Sequence, residues 1–91
     1  MTQRAKAARA FDDACKGIDA PGRRLREHHQ ATNAAIGVML APANGGSPVG
    51  RGTIMDWRHG RTDVPAWAYL AARDLARGAS LESRGDVAMT A

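Results

Sequence analysis

The sequence predicts an all-α fold, a small bundle of four to five short helices, and three observations carry that expectation. Alanine supplies much of the 44% hydrophobic content while β-branched runs are few, a composition that favours helix over sheet. Apolar residues recur three and four apart in several short stretches. Breaks rich in Gly and Pro, at Asp19 to Gly22 (DAPG) and Ala41 to Pro48 (APANGGSP), separate those stretches.

The first element runs from Gln3 to Ile18. Ala7, Phe11, Ala14 and Ile18 form a narrow apolar stripe at helical spacing, with Lys6, Arg9, Asp12, Asp13 and Lys16 on the other side. This stripe either packs on the rest of the domain or makes a dimer contact anchored by Phe11. Pro21 and Gly22 then set a turn. Arg23 to Gln30 (RRLREHHQ) reads as a short basic helix with Leu25 inward, its arginines forming either a solvated face or a phosphate-binding one.

Thr32 to Leu40 (TNAAIGVML) is the next helix, with Thr32 as N-cap and Ile36 and Leu40 on one face. Gly37 lies mid-helix, where it costs about 1 kcal/mol relative to Ala unless another helix crosses close to its backbone. Ala41 to Pro48 is expected to be a loop. Val49 to Gly60 is a short helix in which Ile54 and Trp57 share an inner face, while Gly52, Met55, Asp56 and His59 lie opposite. After an exposed connection, Arg61 to Val64, Pro65 suits the first turn of a last helix. Trp67, Leu70, Ala71 and Leu75 are its expected apolar stripe, and Gly78 its stop.

At 91 residues the chain is one small domain, since typical domains run to roughly 100–150 residues. The aromatic content is only 4%, so a few large side chains must build the core: Phe11, Leu25, Ile36, Leu40, Ile54, Trp57, Trp67, Leu70 and Leu75. Its expected organisation is an amphipathic N-terminal helix within residues 1–20, a helical domain over 22–78 and a flexible tail over 79–91.

The net charge of +4 suits an anionic partner, and 11 of the 13 basic residues are arginine, the better bidentate ligand for phosphate and guanine. Biased codon usage would enrich Arg and Ala equally well. A lone cysteine, Cys15, excludes an internal disulfide framework and a multi-cysteine zinc site. His28 and His29 are adjacent and diverge by about 100° on a helix, so they do not chelate as a pair at i, i+4 does. No metal or cofactor is expected. There is no nucleophile with a base beside it, and Gly45-Gly46 lacks the Gly-Lys-Ser/Thr of a phosphate loop, so an enzyme is not expected. No apolar run approaches the ~20 residues of a membrane helix, which makes the cytoplasm the expected location, with no membrane partner.

Two segments resemble the helix-turn-helix domain of lambdoid phage repressors and Cro proteins. That family's second helix reads roughly T-Q-x-x-L-A-x-x-L, beside Thr32, Asn33, Ala34, Ala35, Ile36, Gly37, Val38, Met39 and Leu40 here, with its small residue on Gly37. Its recognition helix reads V-S-x-x-T-[VI]-x-x-W-x-x-G, beside Val49 to Gly60 (VGRGTIMDWRHG). Two departures stand out. The family joins these helices by a tight turn of about three or four residues, which Ala41 to Pro48 lengthens. Gly50 replaces the capping serine, at a cost of a few tenths of a kcal/mol, unless the helix starts earlier and Ser47 serves.

The resemblance implies a repressor of a phage or mobile element, a homodimer on double-stranded DNA, with a recognition helix at about 49–59 in the major groove. It assigns base reading to Arg51, Gly52, Met55 and Asp56, and phosphate contacts to Thr32, Asn33, Thr53, Arg58 and Arg61. The rival expectation is a small phage-type interaction module, an inhibitor or adaptor that covers a host protein without binding DNA.

Overall fold

The computed structural model describes residues 2–20, 30–78 and 81, and these form four α-helices with no strand among them. They are α1 (Gln3–Lys16), α2 (Asn33–Met39), α3 (Arg51–His59) and α4 (Ala66–Ala76). Helix α1 packs on α3 and α4, and α2 packs on α3. The expected basic helix, Leu25 included, lies outside the described residues apart from Gln30. On either side of it the chain is closed by a backbone hydrogen bond from Ala31 N–H to Ile18 O (2.8 Å) and an isolated antiparallel bridge between Asp19 and Gln30.

In α1 the Thr2 hydroxyl caps the first turn by accepting the Ala5 amide at 3.0 Å. The buried side chains are Ala8, Phe11 and Cys15, followed by Ile18 beyond the helix end. Ala7 and Ala14, placed inward by the spacing, are only partly covered. The buried arc is rotated because α1 fits between two neighbours, and Cys15 behaves there as a small apolar side chain.

Thr32 caps α2 as expected, accepting the Ala35 amide at 3.1 Å, and Ile36 and Leu40 are fully buried. A Cβ on Gly37 would stand 1.8 Å from the Val49 carbonyl oxygen. The Val49 amide also donates to the Gly37 carbonyl at 3.0 Å. The close approach at Gly37 is therefore made by Val49, two residues before α3, and not by a crossing helix. That backbone contact offsets the cost of glycine inside a helix.

The Ala41–Pro48 connection is more ordered than its composition implies. Ala41–Asn44 form a 3₁₀ turn, and Gly45 and Gly46 then take positive φ (64° and 90°) to reverse the chain. Bonds from Gly46 N–H to Ala41 O (2.8 Å) and from Asn44 Nδ2 to Ser47 O (3.0 Å) hold it together.

Helix α3 begins at Arg51, two residues later than expected. Gly50 stands at its N-cap with no side-chain hydrogen bond, and Ser47 does not cap it. Gly60, at φ 75°, ends it in the left-handed conformation that favours glycine. In α4, which starts just after Pro65, the fully buried residues are Ala68, Ala71 and Ala72, with Trp67 and Leu75 on the flanks. Leu70 is 38% exposed, which corrects its place in the expected core. Alanines let α4 approach closely, so the larger Leu70 is left outside.

Trp57 joins three helices. Its ring meets Phe11 of α1 edge-on at 5.6 Å and Trp67 of α4 edge-on at 5.9 Å, the arrangement favoured by aromatic quadrupoles. Leu81, from the segment expected to be a tail, is buried in the core; the rest of that segment, residues 79–80 and 82–91, lies outside the described residues.

Candidate nucleic-acid interface

The packing of Ile54 and Trp57 fixes which way α3 presents its remaining side chains. Both are buried, against Ile36 and Leu40 on the α2 side and Phe11 and Trp67 on the other. The opposite stripe is open. Arg51, Gly52 and Thr53 are exposed, Met55 is 39% exposed and the Asp56 side chain 42%. No atom would approach within 4 Å of a Cβ at Gly50 or Gly52. The four proposed base-reading residues thus occupy the first two turns of one helix, on its free side.

His59, grouped with them by helical spacing, is also exposed, and at the end of α3 it lines a shallow open groove with Arg9, Asp12, Asp13, Lys16 and Arg58. That groove carries both signs of charge. Arg61 reaches back to Asp56, Nη1 to Oδ1 at 3.4 Å, an exposed pair worth little in stability. It moderates the negative charge on the outer face of α3.

Thr32, Thr53 and Arg61 are exposed, the Thr32 hydroxyl at the start of α2, where it caps that helix. Asn33 and Arg58 are engaged within the protein. Arg58 has only 14% of its side chain exposed; its Nε donates to Asp12 Oδ1 at 2.6 Å and its Nη1 to Asn33 Oδ1 at 2.8 Å. One guanidinium thereby joins α1, α2 and α3. Lys16 adds a second cation to Asp12 at 3.1 Å. Burial alone would raise the Asp12 carboxyl, but hydrogen bonds and charge from Arg58 and Lys16 outweigh it and hold the group below its ordinary 3.8.

Sequence reasoning missed Asp12, which falls on the polar side of α1. Its partner Arg58 is 46 residues away, and no local spacing announces such a pair.

Burial pushes the Cys15 thiol up to about 12, only partly countered by Arg58, so it stays protonated and unreactive at neutral pH. Among the described residues no three His, Cys, Asp or Glu side chains converge as metal ligands. Among them, too, no helix is long and apolar enough to cross a membrane. Compared with protein-family models, curated proteins and solved structures, the chain matches none.

Proposed function

We propose that this chain is a sequence-specific DNA-binding regulator in which α2 and α3 act as a helix-turn-helix and α3 enters the major groove. The observation that carries this reading is the division of α3 into a buried face, Ile54 and Trp57, and an open one, Arg51, Gly52, Met55 and Asp56. A major groove about 12 Å wide admits one helix, whose outward stripe then meets base edges. Arg51 pairs with the two acceptors of guanine, Met55 packs on a thymine methyl, and Asp56 accepts from the cytosine amino group. Gly52 lets the backbone come close.

Thr32, Asn33, Thr53 and Arg61 set register through phosphates without reading sequence. The uncapped start of α3 supports this placement, because unpaired amides and the positive end of the helix dipole favour an anion there. The longer turn between α2 and α3 is compatible, since each doubling of loop length costs only about 0.6 kcal/mol. The protein acts as a homodimer and represses transcription from a phage or mobile element.

A protein-docking module is the rival, and Val38, 62% exposed on α2, favours it. Among the described residues the other large exposed apolar side chains, Met55 and Leu70, lie on different helices, so no single apolar stripe there supports that reading. Selection of bound duplexes from a random pool separates the two. Enrichment of a motif with two related half-sites, about 34 Å apart or a multiple of that, is expected. A pool that stays random after repeated rounds would exclude sequence-specific recognition.

A further inference from the structure

Arg58 is the one proposed phosphate ligand whose charged end is already committed on two sides, to Asp12 at 2.6 Å and to Asn33 at 2.8 Å. A guanidinium placed between a carboxylate and an amide oxygen decides the orientation of that amide. The Arg58 bond takes Asn33 Oδ1, and a planar amide whose oxygen is held must present its NH₂ on the opposite edge. Asn33 is only partly buried, so that NH₂ keeps access to solvent. Asp12 is fixed in turn by Lys16, making a chain of charge-assisted contacts that starts on α1 and ends on the first residue of α2.

We infer that Arg58 is a positioning residue and not a phosphate ligand: anchored by Asp12, it fixes the Asn33 amide so that Nδ2 donates to a DNA phosphate. The inference rests on the DNA-binding reading of α2 and α3. Neutral Asn33 makes the contact, while Arg58 supplies geometry. Lysine cannot substitute, because a single ammonium lacks the planar fork that spans both partners.

The test uses the full chain and a duplex recovered by selection, with affinity measured across a range of salt concentrations and thermal melting recorded for every variant. Arg58→Gln and Asn33→Ala should each weaken binding roughly tenfold, the size of one lost charge-assisted hydrogen bond. Combining them should cost little more than either alone, because both break one linkage. The slope of log K against log salt should stay that of the unmodified chain in Arg58→Gln, since no phosphate charge is lost. A slope reduced by about one unit would make Arg58 a direct phosphate ligand and overturn the inference.

Arg58→Lys should also lose affinity although it keeps the charge. Wild-type affinity in that variant would overturn the positioning role. A lower melting temperature with unchanged affinity well below it would reduce Arg58 to a purely structural tie and overturn the inference as well. If the unmodified chain binds no duplex, the DNA reading itself fails and takes this inference with it; if it binds and only the variants misbehave, the Arg58 assignment alone is lost.

Discussion

The last turn of α3 is tied to three other elements by Trp57 and Arg58, whereas its first turn is anchored by Ile54 and leaves its other side chains in solvent. At the C-terminal end Trp57 is wedged between Phe11 and Trp67, Arg58 is shared by Asp12 and Asn33, and Gly60 closes the helix. At the N-terminal end Gly50 offers no side-chain cap, and Arg51, Gly52 and Thr53 face solvent. A helix anchored at one end and open at the other presents side chains without reorganising to do so. If this face binds DNA as proposed, little entropy is lost in ordering it.

The contrast can be broken most severely at the anchored end. Trp57→Ala should destabilise the domain by about 3–5 kcal/mol, since it removes the side chain shared by α1, α3 and α4. Chemical denaturation measures this. A loss under about 1 kcal/mol would mean that the aromatic cluster is not what fixes α3.

Next in size is Gly37→Ala, for which a loss of about 1–3 kcal/mol is expected, because the new methyl group would collide with the Val49 carbonyl. An unchanged midpoint would show that the lead-in to α3 can slide away from α2, and the open end would then be loosely held.

Acid should weaken the anchored end selectively. The Asp12 carboxyl is held below its ordinary value in the folded protein, so its contribution is fully present above the unfolded-state value near 3.8. That contribution is lost as pH falls through the lower folded value. Asp12→Asn should therefore flatten stability against pH below about 4 relative to the unmodified chain, as followed by urea midpoints. Parallel curves would leave the Arg58 junction without measurable weight.

The smallest effect is expected at the open end. Gly50 has extended N-cap geometry, φ −66° and ψ 149°, and room for a side chain. Gly50→Ser should add a few tenths of a kcal/mol by capping α3. A loss instead would show that this end is not open.

The anchored half was the more legible in the sequence. Ile36 with Leu40, Ile54 with Trp57, the Thr32 cap and the Gly60 stop all follow from local spacing and local chemistry. Alanine was the main source of error. It is apolar but unremarkable on any face, so of the three buried alanines of α4 only Ala71 stands out by spacing, whereas Ala68 and Ala72 do not and Leu70 takes an inward place that the structure gives to them. Proline and the Gly45-Gly46 pair marked a break after Leu40 but concealed a 3₁₀ turn. Asp12 and Arg58 meet only because α1 and α3 pack together, which no short window reveals. On the outer face of α3, spacing identified the outward residues, His59 included, but not that the groove beside α1 reaches His59.

The central claim is that the open face of α3 is what meets DNA, and backbone amide shifts recorded as duplex is added at low salt test it most directly. The largest changes are expected at Arg51, Gly52, Thr53 and Met55, with Ala68, Ala71 and Ala72 of α4 unmoved. Shifts concentrated on α1 or α4, or none at any duplex concentration, would contradict it.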